Sequence, residues 1–511
     1  MHTGGMIVME KKNRVTLLNI VSNIVLQITN IITWFIIPKI ILSYFGSDVN
    51  GLVSSITQFL SYISLVEGGI SGVVMASLYK PLVNNDADKL SSVIRTSDNF
   101  YKRIGSIFVV YSVLLGIIYP IIFKTGFSYL YVFSLVLILA INLFIQYMFS
   151  ITFRNLLNAD KKGYIVSFLQ SIILILGVIL SYISVLIYPS IHILKFITGI
   201  LFVIQPIIFS KYVNKNYNIN RKAKIDNDLI KQRWNGFAIN VAAFIHNCTD
   251  IAILTIFTNL ATVSIYSVYT IVTNGLRAIY NAISSAIVPT IGQAYAKKDM
   301  QELDNKLDLY EFISFITVFF MFTITGLLIT PFVVLYTKGV NDANYNQALF
   351  GVLIVLSEAL YLIKFPHLNL AYSANKFKEL TIPAYIEAII NIVISIILVN
   401  KLGIVGVAIG TIIAMLYRLI FHINYTKKII NRNQWIFYRK LIIFVIGTLI
   451  GLGICYFIPQ VKYTIASWII HAIIYSIIFA IIYSVISVLF FKKELKFFKG
   501  YLFRKKGDKN K

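Results

Sequence analysis

Charge is scarce in this sequence. Only 13% of its 511 residues are Asp, Glu, Lys or Arg, against roughly 25% in a soluble domain. That shortage excludes the water-facing surface of an ordinary soluble enzyme. Cysteine is scarcer still. Cys248 and Cys455 are the only two, and both lie in apolar runs. A disulfide framework and a cysteine metal site are thereby excluded, and two inert packed thiols are expected. Catalytic motifs are missing too: no HExxH, GxSxG, Walker A or CxxC pair occurs. The segments expected outside the membrane are too short to hold a sugar-transferring site. Enzyme function is not expected, and ATP is not expected to be the direct driver.

Apolar sequence is abundant. Hydrophobic residues make up 58% of the chain and the mean hydropathy is +0.78. Runs of about 20 apolar residues recur from end to end, which implies an all-α polytopic membrane protein. Helices are expected at 15–45, 49–79, 100–123, 127–152, 163–187, 190–211, 234–258, 261–295, 309–336, 346–372, 379–400, 403–426, 440–458 and 464–491, fourteen in total. The first run is too long for a signal-peptide core and has no small-residue cleavage site. The formal charge of +25 would suit nucleic acid, but its distribution follows topology. With both termini cytoplasmic, Lys39, Lys124, Lys338, Lys401 and Lys462 fall outside, and nearly all other Lys and Arg fall inside or within helices. That is the positive-inside pattern of a multi-pass cell-membrane protein, so no nucleic-acid partner is expected. Trp234, Trp435 and Trp468 sit at helix ends, where aromatic belts occur.

The stretch 50–81, NGLVSSITQFLSYISLVEGGISGVVMASLYKP, organises the chain. Glu67 sits near its middle, where a carboxylate costs a few kcal/mol unless it faces protein or water. Gly68, Gly69 and Gly72 follow, and Gly68 and Gly72 have the spacing that lets helix backbones approach closely. A weaker copy about 213 residues later carries Arg277 (Gly51 to Ser54 over Ser264 to Ser267). Other matches keep nearly the same offset. Asn85 to Leu90 lies over Lys298 to Leu303, Tyr119-Pro120 over Thr330-Pro331, and Asn158 to Lys161 over Ser373 to Lys376. Six helices per copy preserve orientation, so two pseudo-symmetric six-helix lobes are expected in parallel. The lobes are placed at 1–218 and 234–430, joined by a basic cytoplasmic linker at 219–233. Two further helices occupy 431–491, and a basic tail occupies 492–511. The basic loop 211–233 would attract anionic membrane lipid as well as set topology.

Smaller features have competing readings. Asp86-Ala-Asp88 and Asp226-Asn-Asp228 have the DxD spacing of a metal site. Asp86 and its counterpart Asp299 are explained as well by helix N-caps, and the second motif by a solvated turn. No metal is expected. Asn19, Asn23, Gln27 and Asn30 form a polar stripe on the first helix, suited to a protein or cavity face. Pro38 is expected to bend that helix.

The intramembrane charges are few. Lys195, Arg277, Lys364 and Arg418 are the cations and candidates for an anionic head group. Glu67, Asp250, Glu358 and Glu387 are the acids, candidates for coupling ions or structural pairs. His246, His367, His422 and His471 add protonation sites. Arg277 is read either as an anion site, since its fork suits phosphate, or as an ion pair, with Glu67 as partner. Arg418 and Glu387, on consecutive helices, are read as a pair. Lys364 and Glu358 are too far round one helix to meet, and Lys364 is expected to snorkel. Asp250, in Asn247-Cys-Thr-Asp250, is read as an ion carboxylate or a hydrogen-bonding group.

Segment 46–90, GSDVNGLVSSITQFLSYISLVEGGISGVVMASLYKPLVNNDADKL, resembles the N-terminal part of polysaccharide repeat-unit flippases of the Wzx type. These belong to the multidrug/oligosaccharidyl-lipid/polysaccharide exporter superfamily. Segment 398–420, LVNKLGIVGVAIGTIIAMLYRLI, resembles that superfamily's Leu-Gly-Ile-x-Gly-x-Ala pattern. The resemblance implies MATE-like lobes about a central cleft, lined by basic side chains of which Arg277 fits best. It implies a bacterial cell-membrane flippase moving an undecaprenyl-diphosphate-linked oligosaccharide between leaflets. A glycan polymerase and glycosyltransferases are the protein partners such a role implies. No cofactor is expected beyond H+ or Na+ coupling. A multidrug or cation antiporter, a peptidoglycan lipid-precursor flippase, and a non-transporting scaffold of a glycan assembly complex are the alternatives.

Overall fold

The computed structural model describes residues 2–67, 69–123, 125–226, 244 and 248–502, with side chains described from residue 14 to 497. Gly68, Lys124, Asp228, Lys231, Arg233, Trp234, His246 and Asn247 lie outside the described residues, as do most of the expected linker and the end of the tail. The architecture is all helical, and no strand occurs among the described residues. Eleven helical segments there are long and apolar enough to cross a membrane. The chain divides into two compact units, Met1–Ser264 and Ile265–Lys511.

The first unit contains α1 (His2–Leu60), α2 (Ile70–Asn84), α3 (Ala87–Ile122), α4 (Tyr129–Ile145), α5 (Ile151–Ala159), α6 (Gly163–Ile187), α7 (Ile191–Ile200) and α8 (Ile204–Asn216). α9 (Leu260–Ala296) begins in it and runs into the second unit. The second unit continues with α10 (Met300–Tyr336), α11 (Ala348–Ile363), α12 (Phe365–Ser373), α13 (Phe377–Leu402), α14 (Ile404–Ile430), α15 (Trp435–Tyr456), α16 (Ile465–Phe490) and α17 (Lys492–Leu502).

Several expectations about the helices are corrected. The first helix breaks at Gly46, whose φ of 82° lies outside helical space, and Pro38 lies inside the helix. The expected helix 49–79 is interrupted. A 3-10 turn at Ser61–Ile63 and left-handed Gly69 (φ 77°) separate α1 from α2. Glu67 therefore sits at a break rather than inside a straight span. The stretch between the expected helices 49–79 and 100–123 is itself helical from Ala87 onward, as the N-terminal part of α3. Gly72 makes no close approach: a Cβ there would meet nothing within 4 Å. The close approach belongs to Gly51, where a Cβ would lie 1.9 Å from the Leu260 carbonyl oxygen. Beside it, Asn50 donates to Ser264 Oγ at 2.7 Å. Of the polar stripe on α1, Asn19 is tied to the α5–α6 turn through Lys161 O and Tyr164 N, both at 2.7 Å, while Asn23 and Gln27 are exposed.

The internal repeat is written in the backbone. Asp86 caps α3 by accepting from Lys89 N at 3.0 Å, and Asp299 caps α10 by accepting from Glu302 N at 2.9 Å, 213 residues later. Both caps follow a non-glycine residue with positive φ, Asn85 at 53° and Lys298 at 58°. This supports the cap reading of Asp86 over a metal site, and no group of metal-ligating residues occurs among the described residues. The turn after α5 matches the turn after α12 bond for bond. Asp160 N to Leu156 O, Lys161 N to Asn158 O and Lys162 N to Leu157 O correspond to Ala374 N to Leu370 O, Asn375 N to Tyr372 O and Lys376 N to Ala371 O. Lys161 and Asn375 share the positive φ. The offset here is 214, one residue less than the alignment of Asn158 with Ser373.

The described part of the basic loop is folded onto α3 rather than free. Ser92 donates to Lys224 O, Arg95 to the carbonyls of Lys222 and Ala223, and Thr96 accepts from Asp226 N. Cys248 and Cys455 are both buried and unpaired by disulfide.

Candidate functional site

The second unit gathers five of the eight predicted intramembrane charges into one network. α9 supplies Arg277 near its midpoint, and α11 supplies Glu358. The guanidinium meets the carboxylate twice, Nε to Oε1 at 2.6 Å and Nη2 to Oε2 at 2.5 Å. The ion-pair reading of Arg277 therefore holds, with a different partner from the one expected. Glu67 lies in the first unit and accepts from Ser71 Oγ at 2.7 Å and Tyr147 Oη at 3.3 Å. Tyr361, three residues after Glu358 on the same helix, puts its ring 4.9 Å from the Arg277 guanidinium and 4.4 Å from Lys364 Nζ. Cations over an aromatic face gain electrostatically from its quadrupole, most where water is excluded.

α11 ends at Ile363, and Lys364 sits at the break before α12. Its ammonium does not snorkel: the residue is 3% exposed. It lies 3.8 Å from Glu387 Oε1 and 3.6 Å from Met415 Sδ. Arg418 of α14 reaches Glu387 Oε2 of α13 at 2.9 Å, as expected for consecutive helices. That hairpin closes tightly because Gly406 and Gly410 face α13. A Cβ at Gly406 would meet Leu398 C at 2.6 Å, and one at Gly410 would meet Ser395 Oγ at 2.3 Å. Arg277 thus meets Glu358, Lys364 and Arg418 meet Glu387, and the Tyr361 ring lies against both Arg277 and Lys364. In these ion pairs three cations meet two acids. Four of the charged side chains are nearly sealed, while that of Arg277 keeps 22% exposure. It is the accessible end of the network.

The remaining predicted charges belong to the first unit. Lys195 on α7 belongs to the first unit and has no ion-pair partner among the described residues. Asp250 is buried beside Thr249, whose hydroxyl lies 3.5 Å from its carboxylate.

A second network escaped the sequence reading. Arg432, in the α14–α15 connection, meets Asp304 Oδ1 at 2.5 Å, Asp308 Oδ1 at 2.5 Å and Glu311 Oε2 at 2.8 Å. Lys440 of α15 meets Asp308 Oδ1 at 2.7 Å and Glu311 Oε2 at 2.8 Å. Lys440 also lies 3.8 Å from Glu494 of α17. Three carboxylates packed on Arg432 hold its guanidinium, already always charged, more firmly protonated despite burial. A signal existed. Positions 304, 308 and 311 recur at helical spacing, which puts three acids on one face.

No family model and no curated protein matches this chain. Solved structures do. The chain is similar to "Lipid II flippase MurJ, inward closed conformation" with a TM-score of 0.69 at 15% identity, over 91% of this chain and 98% of that one. It is similar to an inward-facing multidrug resistance MATE family transporter of the MOP superfamily, with a TM-score of 0.60 at 14% identity over 76% and 93% of the two chains. A eukaryotic MATE transporter, AtDTX14, gives 0.58 at 14% identity over 84% and 98%. The fold is the MATE-like and MurJ-like one expected for an all-α polytopic membrane protein. At these identities the likeness concerns the fold.

Proposed function

We propose that this chain is a flippase that moves a polyprenyl-diphosphate-linked oligosaccharide repeat unit from the cytoplasmic to the outer leaflet by alternating access. The observation that carries the reading is the Arg277 network: a part-exposed guanidinium at one end of a buried cluster of cations and carboxylates. A diphosphate with several sugars cannot cross about 30 Å of hydrocarbon unaided. A guanidinium offers it bidentate contacts. Glu358 moderates the grip, because a head group must displace or share that carboxylate, and release on the far side requires modest binding.

The test is surface glycan in a host whose own gene is deleted. Arg277→Ala should abolish glycan export, and Arg277→Lys should retain part of it. Arg277→Ala with Glu358→Gln controls for a carboxylate left unpaired. Normal glycan in that double variant at normal protein level would remove Arg277 from the mechanism and sink the reading.

The fold likeness to a lipid II flippase supports a second reading, a peptidoglycan lipid-precursor flippase. Depletion of the chain separates the two. Arrested growth with lysis favours the precursor, and viable cells lacking surface glycan favour the repeat unit.

A further inference from the structure

Two buried histidines, His367 and His422, lie between the charge networks, and neither network accounts for them. His367 sits on α12, three residues after Lys364. Its residue is 2% exposed, and Glu311, which faces it, is 0% exposed. His367 Nε2 lies 3.3 Å from Glu311 Oε1. Neither atom has a hydrogen-bond partner, so the two face each other unpaired. The other carboxylate oxygen, Oε2, already accepts from Arg432 and Lys440, each at 2.8 Å. Two cations on one oxygen keep Glu311 ionised, so its free oxygen presents negative charge to the imidazole.

The other ring nitrogen is also engaged. Nδ1 lies 2.7 Å from Thr426 Oγ1 of α14. That same hydroxyl lies 3.0 Å from the carbonyl oxygen of His422. Thr426 has one proton for these two contacts. With a neutral ring protonated at Nδ1, Nδ1–H donates to Thr426, which donates to His422 O, and bare Nε2 faces Glu311 Oε1. With a cationic ring both bonds stand, and Nε2–H is added on the side of Glu311 Oε1. Nε2 and Glu311 Oε1, unpaired beside the neutral ring, gain a proton between them only when His367 carries both protons.

Charge balance points the same way. Asp304, Asp308 and Glu311 outnumber Arg432 and Lys440 by one, while Glu494 and Lys493 at the rim offset each other. One proton on the adjacent imidazole cancels the excess. The remaining faces of the ring meet the Phe437 ring, with centroids 5.0 Å apart, and the α14 segment that carries His422. The ring nitrogens of His422 have no hydrogen-bond partner of their own.

We propose that Glu311, His367 and Thr426 form a proton-binding site, in which Thr426 holds Nδ1–H and His367 takes up one proton at Nε2, on the side of Glu311, as pH falls. The site links α10, α12 and α14, and it requires no particular transported molecule.

Nitrogen NMR of the full chain, labelled with 15N-histidine in lipid nanodiscs, reads protonation and tautomer directly. The signal missing from His367→Gln identifies the ring. In the unaltered chain that signal should pass from neutral to doubly protonated between about pH 8 and pH 4. Glu311→Gln should lower the half-point by about one pH unit or more. Because Glu311→Gln also strips Arg432 and Lys440 of a partner, Thr426→Val is the second variant. It keeps the acid and the side-chain volume, removes the acceptor for Nδ1–H, and should lower the half-point as well. A His367 signal that stays neutral across the range overturns the proposal. So does a half-point that is unmoved in whichever variant folds.

Discussion

Glu358 holds Arg277 in a two-bond fork, Nε to Oε1 at 2.6 Å and Nη2 to Oε2 at 2.5 Å, across 81 residues of sequence. The carboxylate copies the geometry that a phosphate would offer the same guanidinium. An anionic head group would therefore compete with Glu358 instead of filling an empty socket. Glu358→Gln removes the competitor's charge and leaves its shape. Affinity of the purified chain for undecaprenyl diphosphate should rise about tenfold, equivalent to 1.4 kcal/mol, while export falls because release is slowed. Calorimetry on the detergent-solubilised variant measures this. An unchanged affinity would mean that Glu358 and the head group do not share Arg277.

Glu387 is the other acid of that network and answers both Lys364 and Arg418. Its side chain and both partners are nearly sealed from solvent. Glu387→Gln leaves two buried cations facing each other without their carboxylate. Breaking a buried pair in this way costs about 3–5 kcal/mol. The variant should unfold at a markedly lower temperature in detergent. Adding Lys364→Met removes one of the two cations at similar volume and should recover part of the loss. A double variant no more stable than the single one would show that Lys364 gains nothing from Glu387.

The glycines separate two kinds of tight site. A methyl at Gly51 would press on the Leu260 backbone carbonyl, which cannot swing away as a side chain end does. Gly51→Ala should cost about 1–3 kcal/mol, the usual range for overpacking, or reduce folded yield. Gly72 lies inside α2 with open space beside it. Gly72→Ala should be neutral or stabilising by up to ~1 kcal/mol, because glycine is a poor helix former. Thermal unfolding of the two variants side by side checks the contrast, and equal effects would contradict it.

What could be read from the sequence was local or repeated. The Asp86 and Asp299 caps depend on a few adjacent residues, so aspartate before a helix start was enough to find them. The Arg418–Glu387 pair joins consecutive helices, whose proximity is nearly guaranteed by a short connection. The Arg277–Glu358 pair joins helices that are not consecutive, and spacing alone could not choose between Glu358 and Glu67. Lys364 was misread for a related reason. Its distance from the helix end suggested snorkelling, but the break between α11 and α12 turns it inward to Glu387. The partners in the Arg432–Lys440 network lie 121 to 132 positions apart, so no local spacing brings them together. Burial under α15 and α17 made them interior.

The paired caps offer the last test, one of the repeat itself. Asp86 and Asp299 occupy equivalent turns, with φ and ψ of −82° and 91° against −85° and 91°. Each satisfies one of the four orphan N–H groups that open its helix. Replacing either by alanine should cost about 1 kcal/mol. The two sites lie in separate compact units and share no partner, so their costs should add within about 0.5 kcal/mol. Asp→Asn at either position keeps the acceptor and should be nearly neutral, since asparagine caps about as well. A metal site at Asp86-Ala-Asp88 would behave otherwise. Asp86→Asn would then lower stability chiefly when divalent cation is present, and Asp299→Asn would not. Unfolding of both variants with and without a chelator distinguishes the two outcomes, and the cap reading requires that the chelator make no difference.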